Sequence, residues 1–163
     1  MHKYVFRQLR ESEAPEMFEL IVQRIRWMDE NGIRQWNVTK YDKAYPLSHY
    51  EEALHRGEGY GVISQDGEIV CAARFIDEEE CWEDKEPALY IHSFASKVGH
   101  PGAGAYLLQM AEEYARKLGK KYLRLDSAAD NDALSRYYEK QGFMPCGTCE
   151  DGPYRGILRQ KKL

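Results

Sequence analysis

Apolar residues at helical spacing predict about four helices in this chain. The first has Ser12 as its N-cap, carries Pro15 in its first turn and ends at Asn31-Gly32. Its apolar positions recur every three or four residues: Met17, Leu20, Ile21, Ile25 and Met28. The other helices are predicted over residues 47–55, 105–118 and 131–141, and a glycine lies just beyond each of them.

Short apolar or alternating runs predict about seven strands. They cover residues 4–9, 60–64, 68–75, 88–96, 122–125, 143–149 and 155–160. The second and third are joined by Gln65-Asp66-Gly67, in which Asp-Gly is a strong hairpin-turn signal. Residues 33–45 are aromatic and irregular, and residues 77–86 form an acidic loop. The order of elements predicts one α/β domain over residues 1–163, with a mixed sheet flanked by helices.

Composition and charge narrow the classes of function. Hydrophobic residues make up 43% of the chain and charged residues 31%, which is an ordinary globular balance. No apolar run approaches the roughly 18 residues that span a bilayer, and the first residues are too polar for a signal peptide, so we expect a cytoplasmic protein. The net charge of −4 argues against nucleic-acid binding and is compatible with a cationic amine as substrate.

The four cysteines do not indicate a metal or redox centre. Only Cys146 and Cys149 have the spacing of a CxxC motif, the others being Cys71 and Cys81. This pair follows a strand-like stretch, whereas a redox CxxC normally lies at a helix start, where the thiolate is stabilised. A second CxxC that would complete a zinc site is missing from the sequence. We therefore expect structural cysteines and no metal.

The segment Gly99-His100-Pro101-Gly102-Ala103-Gly104 connects a predicted strand to a predicted helix and is typical of an anion site. Glycines let backbone N–H groups approach a phosphate, and the helix dipole adds about half a positive charge there. A triphosphate loop would need a lysine and a hydroxyl where Ala105 and Tyr106 stand. A dinucleotide-binding turn would need a third glycine where Leu107 stands, although Asp126 lies near the distance at which that motif carries an acid.

Two segments together resemble the GNAT acetyltransferase superfamily. One is Tyr90-Ile91-His92-Ser93-Phe94-Ala95-Ser96 with the glycine turn and Leu107-Leu108, and the other runs from Asn131 to Tyr137-Tyr138-Glu139-Lys140-Gln141-Gly142-Phe143. The resemblance covers the whole order of elements. It implies a mostly antiparallel, twisted sheet of about seven strands, with acetyl-CoA as co-substrate and no metal.

The resemblance also implies which residues bind the coenzyme. The pyrophosphate would lie at the glycine turn and the pantetheine arm along the strand before it, with these residues in contact: Phe94, Ala95, Ser96, Val98, Gly99, His100, Gly102, Ala103, Gly104, Ala105 and Asn131. The turn departs from the family pattern because Gly99 stands where a glutamine or arginine is usual, and the segment before it is about two residues shorter.

Transfer of an acetyl group to an amine also needs an acid and a base. The resemblance assigns the acid to Tyr138, whose phenol can protonate the leaving thiolate; core packing is the alternative role. His92 is the candidate base, because histidine accepts protons near neutral pH, although a strand histidine with a purely structural hydrogen bond is equally compatible. Glu86, Asp126 or a chain of water molecules are further candidates.

The acceptor pocket is expected among the aromatic residues 27–50, with Trp27, Trp36 and Tyr41 as candidate contacts beside Tyr45 and Tyr50. These rings could hold a cationic amine or could pack as a lid over the core. The acidic residues 78–86 could attract a polyamine or aminoglycoside but are more typical of a solvated loop.

The predicted function is N-acetylation of a primary amine on a small molecule or peptide by direct attack on the thioester. The alternative is a non-catalytic acyl-CoA binder or sensor of the same fold, and a nucleotide-binding enzyme is third. The expected partners are the amine acceptor and a second copy in a homodimer, without nucleic acid or membrane.

Overall fold

The structure, a computed structural model, describes residues 3–163. Its strands are β1 (Val5–Gln8), β2 (Gly59–Ile63), β3 (Ile69–Ile76), β4 (Ala88–Ser96), β5 (Tyr122–Ala128), β6 (Met144–Asp151) and β7 (Tyr154–Lys162). Its α-helices are α1 (Ala14–Glu30), α2 (Tyr41–Ala44), α3 (Leu47–His55), α4 (Ala103–Lys117) and α5 (Asp132–Lys140). A 3-10 turn (Glu11–Glu13) precedes α1. Within these residues no helix is long and apolar enough to cross a membrane.

The strands form one seven-stranded sheet in the order β1-β2-β3-β4-β5-β7-β6. All neighbours are antiparallel except β4 and β5, which are parallel. Residues 88–90 of β4 pair with residues 122–124 of β5, and the paired stretch ends there although both strands continue. The sheet therefore opens between the carboxyl ends of these two strands, which confirms the predicted mixed sheet and places a cleft at its centre.

Apolar side chains cover both faces of the sheet. On one face α4 and α5 pack Leu107, Ala111 and Tyr138 against strand residues such as Val70 and Leu123. The other face is covered by α1 and α3 through a second cluster: Met17, Leu20, Ile21, Tyr50, Leu54, Ile69 and Ala72. Burial of this apolar area fixes the helices on both sides of the opening.

Local signals explain most differences from the predicted elements. Ser12 is not the N-cap of α1, which begins at Ala14 with Glu13 as its N-cap, one residue later than predicted. At the 3-10 turn before α1, the Glu13 carboxylate accepts the Arg10 N–H at 2.8 Å and binds the Arg7 guanidinium at 2.8 and 2.9 Å. The Arg7 hydrogen bonds lower the pKa of Glu13 to about 2. The short helix α2 was not predicted, and β5 extends three residues past its predicted end to Ala128.

Candidate functional site

A cleft of about 1070 Å³ occupies the opening between β4 and β5. Its cationic lining residues include Arg24 and Lys97, and its acidic ones are Glu79, Asp126 and Asp151. The carboxylates lie on the β3–β4 loop, β5 and β6, whereas Lys97 adjoins the glycine turn. The cleft thus differs in charge between the end near α4 and the end near the β3–β4 loop.

The α4 end of the cleft is built mainly from backbone. Gly99 and Gly102 have φ angles of +91° and +85°, the left-handed region that favours glycine. Gly102 directly precedes α4, and its carbonyl accepts the first helical hydrogen bond from the Tyr106 N–H at 2.9 Å. The N–H groups of the first helical turn have no acceptor within the helix and, with the helix dipole, favour an anion here.

Gly104 allows α4 to approach two neighbouring elements closely. A Cβ atom at this position would lie 3.4 Å from Phe94 Cζ and 3.4 Å from Tyr137 Oη. The helix start, the end of β4 and α5 therefore meet at one point of the cleft. All the predicted coenzyme-binding residues line the cleft except Ala103, which is fully buried in the core and whose N–H bonds to the His100 carbonyl at 3.3 Å.

Arg24 adds a cation that the sequence did not single out. Its Nε donates to the Ser96 carbonyl at 2.7 Å, and its NH2 group donates to Ser96 Oγ at 3.1 Å. The guanidinium also lies over the Trp27 ring, 4.9 Å from its centroid. Arg24 and Ser96 are 72 positions apart, so no local spacing rule could have connected them.

A bulge in β4 displaces the strand beside the opening. Ala72 of β3 is opposite Ala95, and Arg74 is opposite His92, so β4 has one more residue than β3 in this stretch. Ser93 lies within it with a φ of +53°, which is rare for a residue with a side chain. Its Oγ shares a 2.9 Å hydrogen bond with Tyr41 Oη, and this bond ties the bulge to α2.

His92 lies next to the bulge and pairs with a carboxylate. Its Nε2 is 2.7 Å from Glu79 Oε2, and about a fifth of each side chain is exposed. The hydrogen bond from His92 is the main cause that lowers the pKa of Glu79. Both residues line the cleft. Sequence reasoning found His92 but assigned Glu79 to a solvated loop.

The β3–β4 loop as a whole is anchored and not simply solvated. Asp84 accepts two hydrogen bonds from the buried Arg124 guanidinium, at 2.7 and 3.0 Å. The same guanidinium donates to Tyr90 Oη at 3.0 Å and lies 4.2 Å from the centroid of the buried Trp82 ring. These contacts fix the loop across the end of β4 and hold Glu79 at the cleft.

Tyr138 is buried on α5 and lines the cleft, with 6% of its surface exposed. Its ring packs against Tyr137 and Phe143, with centroids 5.4 and 5.9 Å away. Burial raises the pKa of Tyr138, so its hydroxyl keeps its proton at neutral pH. At the start of the same helix, Asn131 Oδ1 accepts the Leu134 N–H at 3.1 Å as the N-cap.

Of the two other candidate bases, Asp126 lines the cleft and Glu86 does not. Asp126 lines the cleft and accepts a 2.5 Å hydrogen bond from Tyr154 Oη, a partner on β7 that sequence reasoning missed. Burial is the main cause that raises the pKa of Tyr154. Glu86 does not line the cleft, because it lies at the exposed end of its loop and pairs with Lys121 at 3.2 Å.

The predicted acceptor residues Trp27, Trp36 and Tyr41 all line the cleft. Trp36 stacks on Tyr41 with centroids 4.8 Å apart and an interplanar angle of 17°. One face of Trp27 is covered by Arg24, so the protein's own cation already occupies that ring. These contacts favour a packed wall over an open cage for a cationic ligand.

The cysteines are free thiols. Cys146 and Cys149 lie on β6, and Cys149 lines the cleft together with Cys81. Burial raises the pKa of Cys149 to about 12, which disfavours the nucleophilic thiolate. Within residues 3–163 no group of three or more His, Cys, Asp or Glu side chains is arranged to hold a metal ion.

Comparison with known proteins gives consistent matches. The model of the Acetyltransferase (GNAT) family matches residues 17–143. An uncharacterized N-acetyltransferase of Bacillus subtilis, YesJ, is 25% identical over 149 residues, which cover 86% of this chain and 81% of the relative.

Solved structures share the fold over the whole chain. An acetyltransferase of the GNAT family from Streptococcus agalactiae superposes with a TM-score of 0.81 at 21% identity, covering 98% of this chain and 95% of the other. The PaiA N-acetyltransferase of Thermoplasma acidophilum, in complex with coenzyme A, gives 0.78 at 16% identity, covering 99% and 100%.

Proposed function

The chain belongs to the GNAT acetyltransferase family, and we propose that it transfers the acetyl group of acetyl-CoA to a primary amine on a small molecule or peptide. The observation that carries this proposal is the single cleft through the opening of the sheet. It joins a helix start that favours an anion to a protonated tyrosine and a histidine–carboxylate pair. An acetyl transfer uses a coenzyme site, a proton donor and a proton acceptor within one volume.

The coenzyme would bind at the α4 end. The N–H groups of the first turn of α4 suit its pyrophosphate, and the unpaired part of β4 suits the amide groups of its pantetheine arm. Arg24 provides a fixed positive charge beside Ser96, where the glycine turn itself carries no arginine. The coenzyme A complex of the PaiA structure, which shares this fold, supports the assignment.

The acceptor would enter from the end that carries the carboxylates. Glu79, Asp126 and Asp151 favour a cationic amine over a neutral or anionic molecule. The amine must then lose a proton, because a free alkylammonium has a pKa of about 10.4 and its nitrogen has no lone pair for attack. His92 would accept this proton, and the Tyr138 hydroxyl would protonate the leaving thiolate.

The test is release of free thiol from acetyl-CoA in the presence of amines, including diamines, amino acids and peptides. We expect acetylated product and free coenzyme A in equal amounts with at least one cationic acceptor. Thiol release without an acetylated product would be hydrolysis and would count against the proposal.

Tyr138→Phe separates an enzyme from an acyl-CoA binder. Since the phenyl ring retains the packing but lacks the proton, turnover should fall at least tenfold, in the range of general acid catalysis. The affinity for acetyl-CoA, measured by calorimetry, should stay unchanged. Tight coenzyme binding with no thiol release from any amine would favour the binder, and preferential binding of NAD or ATP would contradict both.

A further inference from the structure

We propose that Glu79 is a positioning residue for the catalytic base: it holds Nε2 of His92 so that Nδ1 receives the proton of the acceptor amine. This inference rests on the proposed acetyl transfer and assigns the base within it. It also gives a role to the β3–β4 loop, whose acidic sequence alone indicates only solvation.

The geometry fixes which imidazole nitrogen carries the proton. Glu79 Oε2 lies 2.7 Å from His92 Nε2, and the carboxylate is ionised at neutral pH because the His92 hydrogen bond lowers its pKa. An ionised carboxylate can only accept, so Nε2 must donate. In the neutral imidazole the lone pair then belongs to Nδ1, which is the nitrogen able to accept a proton.

Backbone and side-chain contacts hold Glu79 in this position. The Cys81 N–H donates to Glu79 Oε1 at 3.4 Å, and Asp84 binds Arg124 five residues along the same loop. On the other side of the pair, the β4 bulge and the Tyr41–Ser93 hydrogen bond fix the backbone next to His92. Glu79 and His92 are therefore each held in place by contacts that do not involve the other residue.

The charged groups around the pair are the following. Arg74 on β3 is opposite His92 in the sheet and helps to lower the pKa of Glu79. Asp126 on β5 and Asp151 on β6 line the same cleft. Asp126 is hydrogen-bonded to Tyr154, which leaves Glu79 as the carboxylate in direct contact with the imidazole.

The proton steps balance. The ammonium of the acceptor gives one proton to His92 Nδ1, and the imidazolium is stabilised by the Glu79 carboxylate. The neutral nitrogen forms the C–N bond as the C–S bond breaks. The thiolate takes the proton of the Tyr138 hydroxyl, and the proton lost from the new amide nitrogen returns to Tyr138 through solvent. The products are the amide, the thiol and a protonated histidine that solvent deprotonates.

The test compares Glu79→Gln with Glu80→Gln, a matched control because Glu80 is exposed in the same loop. With a transferred amine, Glu79→Gln should lower kcat about tenfold at pH 8 with little change in KM, and Glu80→Gln should match the wild type. Acetyl-CoA affinity should be unchanged in both variants, and a cooperative melting transition in each shows that it is folded.

A combined substitution distinguishes positioning from a structural role. In a His92→Ala background, Glu79→Gln should change kcat by less than twofold, because the two residues act as one unit.

Two results would overturn the proposal, and only one of them would also overturn the proposed function. If the wild type transfers acetyl groups but Glu79→Gln leaves kcat unchanged, or the Glu79 and His92 substitutions are additive, Glu79 is only structural and the proposed function stands. If the wild type acetylates no amine, the proposed function itself fails, and the base assignment fails with it.

Discussion

The two ends of the cleft are built by different means. At the α4 end the proposed binding groups are backbone N–H groups set by Gly99 and Gly102, and one helix start provides them all. At the opposite end they are side chains brought together from separate elements, as in Glu79 with His92 and Asp126 with Tyr154. A site made of backbone N–H groups tolerates many side chains, but its geometry depends on the φ angles of the turn. A site made of side chains depends on the neighbouring contacts that hold each side chain in place.

The largest loss of stability is expected when the Asp84–Arg124 contact that anchors the β3–β4 loop is removed. Asp84→Ala leaves the buried Arg124 without its carboxylate, and we expect a loss of about 2 kcal/mol in the free energy of unfolding, within the range for hydrogen bonds to charged groups. Turnover should fall as well, because Glu79 loses its anchored loop, while acetyl-CoA affinity should not change. Chemical denaturation and calorimetry measure these quantities.

Glu83→Ala is the control for this substitution, since Glu83 is the exposed neighbour of Asp84. It should change the free energy of unfolding by less than about 0.5 kcal/mol. If Asp84→Ala weakened acetyl-CoA binding as much as turnover, the two ends of the cleft would not be independent.

The next largest effect is expected on acetyl-CoA affinity, from a change in the backbone of the glycine turn at the α4 end. Gly102→Ala has space for its Cβ but forces a left-handed φ on alanine, at a cost of about 1–2 kcal/mol. We expect acetyl-CoA affinity to fall about tenfold as the turn relaxes, since about 1.4 kcal/mol corresponds to tenfold. Gly119→Ala is the matched control, because Gly119 follows α4 with a φ of +75° and, like Gly102, has no atom within 4 Å of an added Cβ. It should lower stability similarly while leaving affinity unchanged; equal affinity losses would contradict the assignment of the helix start.

The same contrast explains what the sequence could predict. The glycine turn and α4 are local signals within a few residues, so the α4 end followed from spacing and resemblance. Glu79 with His92 and Arg24 with Ser96 join residues far apart in the chain, and no periodicity encodes such pairs. The start of the first helix also differs from its prediction, because Glu13 and not Ser12 is the N-cap of α1.

The smallest effect is a difference in acid sensitivity between the two ends. Hydrogen bonds from His92 and Arg124 lower the pKa values of Glu79 and Asp84, so these contacts stabilise the loop fully above the ordinary carboxyl pKa of about 4. The stabilisation is lost as the pH falls from there through the lowered values.

Amide hydrogen exchange between pH 5 and pH 3, corrected for the intrinsic rate, should therefore accelerate severalfold in residues 77–87 and remain nearly constant in the first turn of α4. We expect a weaker dependence in the first turn of α4 because its N–H groups do not titrate. Glu13 provides an internal reference, since its pKa of about 2 keeps it ionised and paired with Arg7 over this range in the folded protein. Parallel acceleration at both ends would mean that the β3–β4 loop and the start of α4 open as one unit. Opening of the loop that carries Glu79 would then also disrupt the proposed coenzyme site.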